Sequence, residues 1–273
     1  MENQTQQHLK PDIYVLLMGR IGNNLFQIAT AATLAHRNGC NFKAVPMNYR
    51  LAAPDNCLFK DYLEQFRTTV LRNTPITEIY PEGYRLYSEP SFEYTPIEYE
   101  PRLLLSGYFQ SEKYFDKTLV RELFRIDPGT EKKLKNIYKH LSLEETVSIN
   151  VRRGDYLWQR KVHPVCGIEY YNSAINLLGE KRNYLITSDD LPWCKAHFTG
   201  KNFFFARQTD PVTDLYLQTL CCDNIISNST FSWWGAWLTA HPEKTVIAPA
   251  KWFGPQSPNT STRDLLPEEW IVI

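Results

Sequence analysis

Apolar residues near the start of the chain follow a pattern that predicts a strand, a turn and a helix. An uninterrupted apolar run over residues 13–18 leads into the glycine-containing stretch 19–24. The apolar residues that follow are spaced as one face of a helix, at Leu25, Ile28, Ala29, Ala32 and Ala35. Gly39 then stands where a helix C-cap belongs. The unit is typical of a buried strand that enters a helix through a tight turn.

A second pattern covers the C-terminal half, where short apolar runs alternate with helical spacing. The predicted strands lie at 146–151, 184–187, 203–206, 225–226 and 246–248. Helical spacing separates them around 170–178, 193–198, 212–219 and 232–239. Strands that alternate with helices predict a doubly wound parallel sheet. Residues 46–101 show no sustained period, and we expect short elements and loops there.

These patterns together predict an α/β protein of two facing Rossmann-like domains with parallel sheets. We expect an N-terminal domain over residues 1–140 and a C-terminal domain over residues 141–273. The longest apolar run has six residues, whereas a membrane-spanning helix needs roughly 20. No transmembrane segment is therefore expected, and the polar first residues lack the apolar stretch of a signal peptide.

Charge and cysteine content narrow the function further. Thirty Lys and Arg balance thirty Asp and Glu, so nothing overall draws the chain to nucleic acid or to an anionic membrane. The six cysteines form no compact repeat, which favours free thiols over a disulfide framework. Neither C-x-x-C nor H-x-x-x-H occurs, and we expect no metal site.

In an open parallel sheet, ligands gather beyond the carboxyl ends of the strands. The turn 19–26 ends the first strand, and its glycines would let the backbone and the helix amides approach an anion. Asn150 and Arg152 at the end of another strand point the same way, and Arg suits a phosphate. Two alternatives stay open: a purely structural turn, and an Arg153–Asp155 ion pair with Arg152 in solvent.

A third polar group follows the predicted strand at 225–226. Its hydroxyls stand at the start of a helix and would form an anion site, although taken alone the pattern favours an N-cap followed by core aromatics. The residues concerned are Ser229, Thr230, Phe231 and Ser232. Asp189 and Asp190 follow the strand at 184–187; a carboxylate there would accept hydrogen bonds from guanine or cap the next helix.

Five segments together resemble the inverting α-1,2-fucosyltransferases of glycosyltransferase family 11. They are Gly-Arg-Ile-Gly-Asn-Asn-Leu-Phe-Gln at 19–27, Gly-Tyr-Phe-Gln-Ser at 107–111, Asn-Val-Arg-Arg-Gly-Asp-Tyr at 150–156, Ser-Asp-Asp at 188–190 with Trp-Cys at 193–194, and Asn-Ser-Thr-Phe-Ser-Trp-Trp at 228–234. Their order and spacing match the family over nearly the whole chain. One position departs: the family's histidine in the third segment is Asn150 here, which cannot become cationic.

The resemblance implies a GT-B fold and transfer of L-fucose from GDP-fucose to O2 of a terminal β-galactoside. It implies that Arg152 stabilises the departing β-phosphate and that Asn23 lies by the reacting centre. GDP-fucose would be a substrate, with no cofactor and no metal, since the sequence lacks an Asp-x-Asp clamp. The residues expected at the donor are Gly22, Asn150, Arg152, Asp189, Ser229, Thr230, Phe231 and Ser232. Among these, Asp189 with Asn150 would recognise guanine.

Some questions stay open at this level. No general base stands out among Glu89, Glu93, Glu112 and Asp155. A different GDP-sugar donor and a non-catalytic nucleotide- or glycan-binding role remain as alternatives. We expect a cytoplasmic protein of bacterial type, and a peripheral position at the inner membrane stays open.

Overall fold

The computed structural model describes residues 11–47, 63–207, 210–257 and 261–273. The described residues form two parallel β-sheets and the helices that connect their strands. The first sheet has the order β2-β1-β4-β3, with every pair parallel. Its strands are β1 (Ile13–Leu17), β2 (Phe42–Pro46), β3 (Arg85–Ser88) and β4 (Leu103–Ser106). β1 is buried on both faces, which suits its continuous apolar run.

Helix α1 (Ile21–Asn38) makes the crossover from β1 to β2. It ends at Gly39, whose φ of 62° lies in the left-handed region and whose N–H donates to the carbonyls of the last turn. This confirms the predicted strand, turn, helix and glycine cap. Two further helices, α2 (Lys117–Leu123) and α3 (Pro128–Ile137), lead towards the second sheet, and the side chains of Asp116 and Asp127 cap them.

The second sheet has the order β10-β9-β8-β5-β6-β7, and all its pairs are also parallel. Its strands are β5 (Val147–Val151), β6 (Tyr184–Ser188), β7 (Phe203–Phe205), β8 (Asp223–Ile225), β9 (Val246–Ala248) and β10 (Ile271–Val272). The helices between them are α4 (Ile168–Leu178), α5 (Leu191–His197), α6 (Pro211–Leu220) and α7 (Thr230–Leu238). The predicted alternation of strands and helices is confirmed.

One apolar core runs through both halves because α1 packs against α7. The Phe26 ring lies 4.5 Å from Trp233 and 4.9 Å from Trp234, centroid to centroid, and both tryptophans are fully buried. Phe115 stacks on Trp234 at 5.5 Å. The aromatic run after residue 230 is therefore core, as one of the two alternatives held, and it joins the two sheets.

The described part of residues 46–101 consists of short elements and loops, as predicted, and β3 is one of these short elements. The four residues of β3 are largely exposed at a sheet edge, so no apolar run marks them. Residues 48–62 of that stretch are outside the described ranges, as are the first ten residues and Cys57. The cysteines within the described ranges are free, as expected: Cys40, Cys166, Cys194, Cys221 and Cys222. No helix in the described ranges is both long and apolar enough to cross a bilayer.

Candidate active site

A cleft of about 840 Å³ opens between the two sheets. Its walls come from the segments that follow β1, β4, β5, β6 and β8, at the carboxyl ends of these parallel strands. The predicted site residues that line it are Gly22, Asn23, Asn150, Arg152, Asp189, Ser229, Thr230 and Phe231. The fold therefore brings together the polar segments that the sequence singled out.

Gly22 lies where the N-termini of α1 and α7 touch. A Cβ at Gly22 would come within 2.5 Å of the Phe231 backbone nitrogen and 2.6 Å of the Thr230 carbonyl carbon. No side chain fits there without a backbone shift. The glycine turn is thus structural, as one alternative held, and it brings two positive helix ends to one cleft.

Asn23 connects the two sheets through its side-chain oxygen. Asn23 Oδ1 accepts a hydrogen bond from Gln110 Nε2 at 3.2 Å and another from Thr230 Oγ1 at 2.8 Å. Gln110 follows β4 and Thr230 begins α7, so a single amide holds both sides of the cleft. Asn23 therefore positions the two sides of the cleft relative to each other. Its place near the reacting centre stays a prediction.

Arg152 faces the cleft between two carboxylates. Its NH1 lies 2.8 Å from Asp189 Oδ2, its NH2 donates to Asp155 Oδ1, and its side chain is 21% exposed. Arg153 points the other way, with Nε donating to Asp190 Oδ2 at 2.9 Å. The alternation expected along the strand is confirmed. The alternative pairing of Arg153 with Asp155 is not observed.

Asp155 joins this cluster to the N-terminal side of the cleft. Its Oδ2 lies 3.2 Å from NH2 of Arg20, the residue that precedes α1. Two carboxylates thus orient the guanidinium of Arg152 while engaging only two of its five N–H donors. The remaining donors and the two helix N-termini make this part of the cleft suitable for an anion.

Asn150 belongs to a buried network at the base of the cleft. It is 6% exposed, its Nδ2 donates to Thr187 Oγ1 at 3.1 Å, and its Oδ1 accepts from Ser227 Oγ at 2.9 Å. These bonds link β5 to β6 and to the segment after β8. Asn150 therefore ties strands together and keeps one amide N–H for a ligand.

Asp189 is engaged within the protein through both oxygens. Oδ1 accepts from the Arg153 backbone N–H at 2.8 Å, and Oδ2 pairs with Arg152. The resemblance implied that this carboxylate recognises guanine. Its observed partners instead make it an orienting group for Arg152, and its contact with a base stays a prediction. The neighbouring Asp190 caps α5 by accepting from the Trp193 backbone N–H.

The start of α7 contains residues that line the cleft and a serine that belongs to the core. Ser229 caps the helix by accepting from the Phe231 N–H at 3.3 Å, and Thr230 bonds to Asn23. Ser232, predicted at the donor, lies elsewhere: it is fully buried and outside the cleft lining. Its hydroxyl donates to the carbonyls of Ser227 and Ser229 at 3.0 and 2.9 Å. One helical turn separates it from Ser229 and turns it into the core.

The sequence did not single out Asp214 in the first turn of α6. Asp214 lines the cleft, is 8% exposed, and its Oδ1 has no hydrogen-bond partner. Burial raises the pKa of Asp214 to about 8, and the nearby charge of Asp210 adds to the rise. An acidic residue in a first helical turn is common because it complements the helix dipole, so the sequence carried no distinct signal.

Tyr156 and His163 form a second group that sequence reasoning missed. Their rings stack at 4.7 Å with 15° between the planes, and Tyr156 OH donates to the Asn228 carbonyl at 3.3 Å. Burial raises the pKa of Tyr156 to about 12. Burial also lowers the pKa of His163, while Asp155 opposes that change. At neutral pH the tyrosine is protonated and the imidazole is neutral.

Three of the four acidic candidates for a general base lie outside the cleft lining. Glu89 accepts from the Tyr108 and Phe109 backbone N–H groups, and so braces the loop after β4. Glu93 pairs with Arg263, and Glu112 accepts from Trp237 Nε1. Only Asp155 of the four lines the cleft.

Across the described ranges no group of three or more His, Cys, Asp or Glu could hold a metal ion.

Two facing parallel sheets with the cleft at their carboxyl ends make up a fold of the GT-B class. The fold is similar to that of the fucosyltransferase NodZ from Bradyrhizobium, with a TM-score of 0.52 and 12% identity over 83% of this chain and 93% of that one. The sequence profile of glycosyl transferase family 11 matches residues 2–273. The chain belongs to that family.

Two relatives are named for α-1,2 glycosyl transfer. An α-1,2-colitosyltransferase of Escherichia coli is 34% identical over an alignment of 184 residues, and the match covers 61% of this chain and 61% of that protein. The galactoside α-(1,2)-fucosyltransferase 1 of Alouatta caraya is 29% identical over 240 residues, 81% of this chain and 63% of that protein. The chain thus spans about three fifths of the length of these relatives.

Proposed function

We propose that this chain transfers L-fucose from GDP-fucose to O2 of a terminal β-galactoside, with inversion at the anomeric carbon and an α-1,2 linkage in the product. The observation that carries the proposal is the cleft where the N-termini of α1 and α7 meet beside Arg152. Family membership and the relatives named for α-1,2 transfer support it.

The anion-binding part of the cleft suits the diphosphate of the donor. In an inverting displacement the acceptor oxygen attacks the anomeric carbon opposite the departing GDP, so negative charge grows on the β-phosphate. Arg152 has unused N–H donors and is held in place by Asp155 and Asp189. Such a preorganised group stabilises growing charge more than ground-state charge. We assign Arg152 and the two helix ends to the leaving phosphate.

The guanine of the donor is recognised by a different residue from the one that the resemblance implied. Guanine presents N–H donors at N1 and N2, which a carboxylate can accept. The carboxylate of Asp189 already contacts Arg152 and Arg153, whereas Asp214 has an oxygen without a partner in the cleft wall. We therefore propose that Asp214 takes the guanine contact. A ligand that completes a buried, unpaired polar atom gains specificity from it.

The acceptor would enter from the N-terminal side of the cleft. Phe92 and Tyr108 stack there at 6.0 Å, beside Gln110. Aromatic faces with a few polar groups are typical of small-molecule and sugar sites. The relative named for colitosyl transfer favours one alternative, in which the same cleft uses a different GDP-sugar.

The test is a donor and acceptor panel. Purified protein is incubated with GDP-fucose or other GDP-sugars and with β-galactosides such as lactose, and the product linkage is read by NMR. We expect fucosyl transfer to O2 of galactose. Transfer from another GDP-sugar alone would replace the donor assignment. GDP binding by calorimetry without transfer or donor hydrolysis would contradict the enzymatic proposal and favour a binding role.

We further propose a cytoplasmic location. The free thiols of the described cysteines suit a reducing compartment. Disulfides in protein isolated from its native cell would count against this location.

A further inference from the structure

The proposed displacement releases a proton from the attacking hydroxyl, and a group of the cleft must accept it. A general base must come within about 2.6–3.2 Å of that hydroxyl and be unprotonated at the working pH. The carboxylates of the cleft do not meet both requirements. Asp155 has one oxygen on Arg152 and the other on Arg20, and both oxygens of Asp189 are also engaged.

Asp214 is excluded by its protonation. Burial raises its pKa to about 8, so without a ligand the carboxyl is largely neutral at pH 7, and in the donor complex the proposed guanine contact occupies its oxygens. Tyr156 is protonated as well, because burial raises its pKa to about 12. Asp214 and Tyr156 of the cleft wall can therefore donate a hydrogen bond, but neither can take up the proton of the attacking hydroxyl.

His163 differs from them in both respects. His163 lines the cleft, its ring stacks on Tyr156, and its backbone N–H donates to the Gln159 carbonyl. Neither ring nitrogen has a partner among the described residues, and neither is buried without one. The stack fixes the plane of the imidazole and leaves its nitrogens available to a ligand.

The imidazole is also close to the proposed leaving-group site. The Tyr156 ring lies 5.2 Å from the Arg152 guanidinium carbon and 4.7 Å from the His163 ring. His163 is therefore within roughly 10 Å of the guanidinium, since both contact the same phenol ring. One sugar ring between a phosphate at Arg152 and a hydroxyl at His163 fits that span.

We propose that His163 is the general base of the transfer, an inference that rests on the proposed function of the cleft. The acceptor hydroxyl forms its bond to the anomeric carbon while one nitrogen of His163 takes the hydroxyl proton. The bond from that carbon to the β-phosphate oxygen breaks, and its electron pair leaves with GDP. The imidazolium then returns the proton to water.

The charges around His163 suit this cycle. Burial disfavours the imidazolium and lowers the pKa, so the neutral base predominates before reaction. Asp155 favours the protonated ring and Arg152 opposes it, while Tyr156 contributes no charge because it stays protonated. The proton taken from the acceptor is therefore held briefly and released.

The experiment compares His163→Phe, His163→Gln and His163→Ala with wild type. Phe keeps the ring stack and Gln keeps a hydrogen-bonding group, but neither can act as a base. We expect kcat to fall by about 10²–10⁴ in all three. The KM for GDP-fucose and the increase in melting temperature on GDP addition should stay within about twofold of wild type. The matched control is His197→Phe, because His197 also stacks on an aromatic ring, Trp193, but lies outside the cleft lining.

Two readouts separate base catalysis from a structural role. Added imidazole should restore part of the activity of His163→Ala and leave His197→Phe unchanged. The acidic limb of the wild-type kcat profile, centred below pH 6.5, should disappear in His163→Gln. Variants with wild-type kcat, or a loss that imidazole does not relieve and that matches a loss of GDP stabilisation, would overturn the assignment. Absence of transfer by wild type would overturn the proposed function, and this inference with it.

Discussion

Replacing Asp214 with Asn should stabilise the protein at alkaline pH and lower its affinity for GDP. Burial raises the pKa of this carboxyl from 3.8 to about 8. Between those pH values the folded protein keeps a proton that the unfolded chain has released, so stability falls as pH rises through the window. At about 1.4 kcal/mol per unit of pKa shift, the full loss above pH 8 is on the order of 5 kcal/mol.

An amide cannot ionise, so the variant removes this pH dependence. Relative to wild type, Asp214→Asn should raise the free energy of unfolding by about 2 kcal/mol at pH 5 and by about 5 kcal/mol at pH 8.5. Urea unfolding at both pH values gives the comparison. Asp116→Asn is the control, because Asp116 is exposed and Asn caps α2 equally well.

Nucleotide binding supplies the second half of this test. Two guanine N–H donors favour the ionised form of the Asp214 carboxyl when GDP is bound, and an amide cannot ionise, so Asp214→Asn should weaken GDP binding about 10- to 100-fold. Wild type should prefer GDP over inosine diphosphate, which lacks the N2 amino group, and the variant should lose that preference. Equal stability changes at pH 5 and pH 8.5, with unchanged GDP affinity, would refute both the raised pKa and the guanine assignment.

Two further predictions concern the cleft. Gly22→Ala should lower the free energy of unfolding by about 1–3 kcal/mol despite the helix preference of Ala, because its Cβ meets backbone of α7. Gly129→Ala, whose nearest contact is a side-chain oxygen at 3.2 Å, should be close to neutral, and equal urea midpoints for the two variants would contradict this reasoning. EDTA should leave transfer unchanged, because we assign the leaving phosphate to Arg152 and helix ends. A loss of activity that Mn²⁺ or Mg²⁺ restores would be evidence for a metal.

Much of the fold was predictable because its strands are buried in parallel sheets. The run at residues 13–18 and the helix ending at Gly39 carry strong local signals. The edge strand β3 does not, because its exposed residues need no apolar pattern. The opposite directions of Arg152 and Arg153 could be predicted from the alternation of side chains along a strand alone.

Long-range contacts decided the parts of the site that the sequence could not indicate. Ser232 looks like a site hydroxyl in the motif, and only the helical turn shows that it faces the core. Gly22 is required by a backbone contact with a residue more than 200 positions away. Asp214 and His163 carry no motif, and their chemistry arises from burial within the assembled cleft.

The most direct test of the proposed function is kcat for Arg152→Ala measured beside the melting temperature with and without GDP. If Arg152 stabilises the leaving phosphate, kcat should fall by about 10²–10³ or more, and Arg152→Lys should recover little because an ammonium lacks the guanidinium fork. The melting temperature without GDP should fall only modestly, since partly exposed ion pairs with Asp155 and Asp189 are lost. The increase in melting temperature on GDP addition should shrink. An unchanged kcat, or a GDP-induced increase as large as in wild type, would contradict the assignment of the cleft to GDP-sugar transfer.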